Sequence, residues 1–283
     1  MKYIFLFLLF FTCAAQEPIH ILIASPINQT SLLIISEFLA SLEHYKLPKE
    51  YVIEYLFSID THNLKIHEII NSFIHKNSNS FILPIHEGKL TSYKGYIGQL
   101  WHLAGIKNEI LCFARKKQYD YLLLIDNDLI LHPECLNSLI NSNKDIIAPL
   151  FFVKSESDPS MSPYAWLYNA DYQYQRTLYE QSLSDEEKKN RRTHFIQNLK
   201  KRGIHEVGGA GGCILLNKKL LNSNVLFKEI ENSLFVNPDV HFCIRALVRN
   251  FSIFVNSSYP VFKFKKESEY NDLQDFKLQC GIY

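Results

Sequence analysis

The sequence predicts an α/β protein: a mixed, mostly parallel sheet flanked by helices, in a single domain with an elaborated second half. Three observations carry this. Short apolar runs alternate with segments of helical periodicity through the first half of the chain, the order that builds parallel strands joined by crossover helices. Three of those runs end at polar residues, Ser25, Asp60 and Asp126-Asn127-Asp128, and open parallel sheets bind ligands beyond the carboxyl ends of their strands. The chain has 283 residues, 47% of them hydrophobic, enough to fill a large core.

The elements follow in order. Residues 19–25 are an Ile-rich run stopped by Pro26, a buried strand. Leu32, Ile35, Leu39 and Leu42 recur at helical spacing within 31–44. A second strand over 51–59 ends at Asp60, a helix follows over 64–76, and a short strand over 80–85. After a loop from His86 to Tyr93, a long helix is expected over 97–118, with Trp101, Ile106, Ile110, Phe113 and Ala114 on its apolar face. Residues 120–125 form the most apolar strand. Pro133 suits a first helical position, so a helix is expected from there to Asn141. Asp145 to Phe152 reads as a strand, and 153–183 as an elaborated loop region. Ser184 and Glu187 form a capping box for a polar helix that Gly203 stops near Arg202. Val207 to Leu216 is a Gly-rich stretch entering a strand, Pro238 opens a helix reaching Arg249, and 252–256 and 260–264 close the fold. There is no repeat or low-complexity linker, so one domain with two lobes is expected, about 16–152 and 153–283.

Residues 1–15 read as a signal peptide: Lys2, an apolar run from Tyr3 to Phe11, and Cys13-Ala14-Ala15 before a cut ahead of Gln16. The run is shorter than the roughly 20 apolar residues a membrane span needs, although an uncleaved anchor stays open. No membrane span is expected after cleavage, and the destination is the secretory lumen or the exterior (the periplasm or envelope in a bacterium). Asn28-Gln29-Thr30, Asn250-Phe251-Ser252 and Asn256-Ser257-Ser258 are glycosylation sequons. Cys112, Cys135, Cys213, Cys243 and Cys280 form no close C-x-x-C pair, which argues against a zinc site. With 30 Lys+Arg against 29 Asp+Glu, the net charge of +1 argues against an electrostatic nucleic-acid binder.

Asp126 and Asp128, one residue apart just past a buried strand, can address one divalent ion and a ribose together. A departing diphosphate needs its charge neutralised, and oxygen ligands suit Mg²⁺ or Mn²⁺. A pair of turn or capping carboxylates is the plainer alternative. Gly208-Gly209-Ala210-Gly211-Gly212 precedes a strand, so it is neither a P-loop nor a dinucleotide motif. It lets backbone approach a ligand, or simply forms a tight turn.

Tyr121 to Pro133 (YLLLIDNDLILHP), then Leu136, Leu139 and Ile140, then Lys144 to Pro149 (KDIIAP), resembles the GT-A glycosyltransferases. It is especially similar to the glycosyltransferase domain of procollagen lysyl hydroxylases and to family 2-like glycosyltransferases. Asn237 to Cys243 (NPDVHFC) and Ala24-Ser25-Pro26 continue the likeness, which spans roughly residues 19–263 in order. The resemblance implies the Rossmann-like GT-A fold and a metal-assisted transfer of a hexose from a nucleoside-diphosphate sugar, UDP-sugar foremost, to a hydroxyl on protein or glycan. Ser25, Asp60, Lys107, Asn108, Asp126 and Lys263 would then face the donor nucleotide, and Asp126 and Asp128 would hold Mn²⁺ or Mg²⁺. Asp239 would be the general base, or else a first-turn carboxylate favoured by the helix dipole. Gly209, Gly211 and His241 would lie on the acceptor side.

Two departures stand out. Lys263 stands where many metal-dependent members carry a late histidine, and His241 where relatives carry an acidic or small residue. Lys263 reaches the diphosphate as a point charge, or marks weakened metal binding. The second sense leaves a rival function, a catalytically degenerate sugar- or partner-binding protein. A phosphotransferase of the haloacid dehalogenase type also uses D-x-D, but continues with Thr or Val where this chain has Ile130. Trp101, Tyr164, Trp166 and Tyr168 are either stacking platforms or core aromatics.

Overall fold

The computed structural model describes residues 17–28, 30–60, 62–77, 79–84, 94–154, 161–167, 184–231, 233 and 235–282. The expected signal peptide, the loop from His86 to Tyr93, most of the elaborated segment 153–183 and Tyr168 lie outside them. The first half runs β1 (Ile19–Ile27), α1 (Leu32–Leu42), β2 (Tyr51–Ile59), α2 (Leu64–Lys76), β3 (Ser80–Leu83), α3 (Gly95–Lys116) and β4 (Tyr121–Ile125). The second half continues with β5 (Leu129–Leu131), α4 (Cys135–Asn141), β6 (Ile146–Pro149), β7 (Phe152–Lys154), β8 (Met161–Pro163), β9 (Ala165–Trp166), α5 (Asp185–Leu199), β10 (Ile204–Val207), β11 (Gly209–Ala210) and β12 (Cys213–Asn217). It ends with α6 (Lys218–Leu221), α7 (Pro238–Val248), β13 (Ile253–Asn256), β14 (Val261–Lys263) and α8 (Tyr270–Cys280).

Eight strands form the main sheet in the order β10-β13-β6-β12-β4-β1-β2-β3. The neighbours β13–β6, β4–β1, β1–β2 and β2–β3 are parallel, while β10–β13, β6–β12 and β12–β4 are antiparallel. The sheet is covered on both faces, which is why β1 reads as an unbroken apolar run rather than an alternation. The pleat sends Leu22 and Ala24 into one core with α3, α6 and α7. Ile21 and Ile23 enter the other, with α1, α2, α4 and α8. No helix among the described residues is long and apolar enough to cross a membrane.

Several boundaries differ from the sequence expectation. Pro26 does not stop β1, which pairs in register with β2 through Ile27. The β4 partner has already ended at Ala24, so Pro26 lies where the strand is paired on one side only and a missing N–H is tolerated. Pro133 forms a turn rather than a helix: the Cys135 N–H donates to the His132 carbonyl at 2.8 Å, and α4 begins there. The strand expected over 145–152 breaks at Leu150, whose N–H donates to the Asn256 carbonyl at 2.9 Å. The helix α8 was not anticipated. Its only buried residues are Leu273 and Phe276, too few to register as a periodic stripe.

Candidate active site

The carboxyl end of β4 supplies the centre of the site. Beyond Ile125 the Asp126 N–H donates to the Gly212 carbonyl at 2.7 Å. The chain then turns, with the Leu129 N–H donating to the Asp126 carbonyl at 3.2 Å, and returns as β5. That strand pairs antiparallel with β14, setting Lys263 opposite Leu129. The Phe264 N–H donates to the Asp128 carbonyl at 2.7 Å and locks this register. The Lys263 ammonium therefore donates to Asp128 Oδ1 at 2.8 Å and lies 4.0 Å from Asp126 Oδ2. It also sits near the Phe151 and Tyr164 rings, 5.6 and 6.0 Å from their centroids.

A second pair adjoins the first. Asn237 caps α7 by accepting from the Asp239 N–H at 2.9 Å, and Pro238 takes the first turn, where its missing N–H is harmless. Asp239 is thereby fixed in the first turn, where Lys107 of α3 donates to its Oδ1 at 2.8 Å. The two side chains are only 7% and 9% exposed. The Gly-rich segment packs between the pairs. A Cβ on Gly211 would overlap the Asp239 carboxylate, and one on Gly209 would overlap the Trp166 indole. Gly212 has φ +71°, and a Cβ there would also press on the Phe151 ring at 3.0 Å.

Burial pushes the Asp126 carboxyl up to about 6; the Lys107 and Lys263 ammoniums pull it back, and Asp128 and Asp239 push it further up. Burial pulls the Lys107 ammonium down, but the Asp239 and Asp126 carboxylates outweigh it and leave Lys107 above its ordinary value. Burial, then Asp239 and Asp126, raise the Tyr164 phenol.

The structure brings together Asp126, Asp128, Lys263, Lys107, Asp239 and Gly211. The remaining expected residues are placed differently. Asp60 stands at the end of β2 with Oδ2 3.0 Å from His102 Nε2. Ser25 is fully enclosed in the sheet, with no surface for a donor. Asn108 does not face a ligand: its amide N donates to the Phe227 carbonyl at 3.0 Å and its Oδ1 accepts the Phe227 N–H at 2.8 Å. His241 is also fully buried; its Nδ1 accepts the Ile230 N–H at 2.8 Å and its Nε2 donates to the Phe235 carbonyl at 2.7 Å. Both nitrogens are thus committed to backbone, and the Trp101 ring packs edge-on at 5.1 Å. Trp166 is buried over Gly209, a core aromatic.

The sequence reading passed over Asn127. Its amide nitrogen is buried with no hydrogen-bond partner, and it lines a cavity of about 600 Å³ with Asn28, Thr30, Ser31 and Asp128. A second cavity, of about 720 Å³, is lined by Lys263, Phe151, Lys265 and Lys266 among others. Asn127 and Asp128 line the first cavity, and Lys263, the partner of Asp128, lines the second.

A divalent ion held by Asp126 and Asp128 was the expectation from the sequence. Among the described residues no group of three or more His, Cys, Asp or Glu side chains could hold a metal. The third position beside the two carboxylates is filled by an ammonium, which has no lone pair to give. This donor set does not fit a resident divalent ion.

A mixed sheet with paired acidic residues past its central strand, at the crevice where helix α7 begins, defines a glycosyltransferase of the GT-A type. The chain belongs to glycosyltransferase family 25, whose N-terminal domain model matches residues 20–196, more than half of its length. Among solved structures it is similar to S. aureus TarS 1–349, with 14% identity and a TM-score of 0.53, over 93% of this chain and 65% of that one. A second structure of S. aureus TarS gives 14% identity and a TM-score of 0.51, over 93% of this chain and 39% of that one. The chain therefore spans less than two thirds of the length of these TarS chains. No curated protein matches.

Proposed function

We propose that the chain transfers a hexose from a nucleoside-diphosphate sugar, UDP-sugar foremost, to a hydroxyl on a protein or glycan. The observation that carries this reading is the convergence of two lysine–carboxylate pairs, Lys263 with Asp128 and Lys107 with Asp239, at one end of the sheet. Transfer needs two things there: positive charge for the departing diphosphate and a base for the acceptor hydroxyl. Lys263 supplies the first, held in place by Asp128 and Asp126. Asp239 supplies the second, taking the hydroxyl proton as the acceptor oxygen attacks the anomeric carbon and the sugar–phosphate bond breaks. Lys107 orients that carboxylate through its 2.8 Å hydrogen bond. Asp60, at the next strand end but one and 3.0 Å from His102, stands outside this cluster and would meet the nucleotide.

One observation favours a second reading, a binding protein without transfer. The Asp239 carboxylate is nearly enclosed and already paired. A panel of nucleotide sugars, followed by mass spectrometry of released nucleoside diphosphate, separates the two. We expect release from one donor, abolished in Asp128→Ala while thermal unfolding stays near wild type. Donor binding without release, across a range of glycan and peptide acceptors, would leave only the binding role.

A further inference from the structure

The carboxylates at the D-x-D turn already hold a cation that belongs to the chain. Lys263 Nζ lies 2.8 Å from Asp128 Oδ1 and 4.0 Å from Asp126 Oδ2, and its side chain is only 13% exposed. The seat is built by backbone: the β5–β14 ladder sets Lys263 against Leu129, and Phe264 bonds the Asp128 carbonyl. Flanking rings of Phe151 and Tyr164 keep a monovalent ammonium there. An ammonium donates three hydrogen bonds and accepts none. It cannot ligate a metal, and it repels one from the oxygens it bonds.

We propose that Lys263 is the resident cation of this site and meets the donor diphosphate directly, so that the protein binds nucleoside diphosphate without a divalent ion. The neighbouring surface supports an anion at this place. The 720 Å³ cavity is lined by Lys200, Lys263, Lys265 and Lys266 against Glu269 and Asp272. Glu269 is itself occupied, accepting the backbone N–H groups of Lys265 and Lys266 at 2.9 and 3.2 Å. The diphosphate half of the proposal rests on the transferase reading; the cation seat does not.

The test has two arms on the full chain. In the first, Mn²⁺ alone is titrated and followed by electron paramagnetic resonance. Wild type is expected to hold no Mn²⁺ at submillimolar concentration, and Lys263→Met to gain a site at least about tenfold tighter, lost again in Lys263→Met/Asp128→Asn. Lys263→Arg, which keeps the charge, gains none. In the second arm, UDP is titrated by calorimetry with chelator and then with Mn²⁺. Wild type is expected to bind UDP within about threefold of the same affinity in both buffers, while Lys263→Met loses at least about tenfold in chelator and recovers with Mn²⁺. Melting curves confirm that the variants are folded, and Lys263→Gln, which also removes the charge, carries both arms if Lys263→Met does not fold. Wild-type Mn²⁺ binding as tight as that of Lys263→Met overturns the proposal, as does UDP binding that needs Mn²⁺. Absence of UDP binding in both buffers, with the Mn²⁺ pattern intact, overturns the UDP-sugar donor and the diphosphate half of the proposal and upholds the cation seat.

Discussion

Lys107 and Asp239 share a 2.8 Å hydrogen bond with less than a tenth of either side chain exposed. Removing one partner of such a pair leaves the other charge buried alone, at a cost of about 3–5 kcal/mol, whereas replacing both is close to neutral. Lys107→Met should therefore lose about 3 kcal/mol in urea unfolding. Lys107→Met/Asp239→Asn should recover at least half of that, with turnover absent in both. A double variant no more stable than the single one would show that the pair is not a closed unit. Asp126 behaves oppositely to a stabilising carboxylate. Its folded pKa of about 6 lies above the ordinary 3.8, so the folded state binds more protons between those values and loses stability as pH rises through them. Asp126→Asn should be more stable than wild type by about 1–2 kcal/mol at pH 7.5, with the difference gone by about pH 4. Thermal melts across that range measure it; a difference that grows toward acid would contradict the sign. The D-x-D pair was legible in the sequence because an apolar run ending in acids is a local signal. The partner of each acid was not, since Lys107 and Asp239 are 132 positions apart and Lys263 and Asp128 are 135.

Helix α3 delivers Lys107, and the next residue along fixes where that helix sits. Asn108 clamps both backbone groups of Phe227. The Phe227 ring stacks on Phe242 of α7 at 4.3 Å and lies 5.2 Å from the Lys107 ammonium. Arg115, two turns on, donates to the Leu221 and Ser223 carbonyls at 2.7 Å each. One helix is thus pinned to residues 221–227, which reach α7 through the Phe227–Phe242 stack. Asn108→Ala strands a backbone donor and acceptor and should cost about 2–3 kcal/mol in chemical denaturation. UDP affinity measured by calorimetry should stay within about threefold. A tenfold loss of affinity at unchanged stability would restore Asn108 to the donor site. The element order itself was legible, because burial on both faces of β1, β2 and β4 leaves apolar runs that name their own length. The β5–β14 ribbon was not: each strand has three residues, and no turn joins them. The positions of Asn108 and His241 misled for a related reason. A buried amide or imidazole that satisfies backbone looks, in sequence, like one that awaits a ligand.

The sheet divides the molecule into two cores, and its thiols divide with it. Cys135 and Cys213 lie in one core and Cys243 in the other. Burial pushes Cys135 and Cys243 each up to about 12, and Cys213 well above its ordinary value, so none of the three is a thiolate at neutral pH. All five cysteines among the described residues are free; Cys112 on α3 is exposed and Cys280 half-buried. No disulfide joins these described residues, and their reactivity reports the fold. Iodoacetamide at pH 8 should add to Cys112 first and to Cys280 more slowly, both in the native protein. Cys135, Cys213 and Cys243 should react together and only with global unfolding, because each sits in a core that opens as a unit. Intact mass resolves the steps: one adduct, then two, then a jump. Native-state labelling of Cys243 as fast as Cys112 would mean that the α7 face opens locally, and Asp239 with it. The final count also reads the amino terminus. Six cysteines are present in the sequence, Cys13 among them. Secreted protein cut ahead of Gln16 ends at five adducts under denaturant; a chain that keeps its apolar leader ends at six.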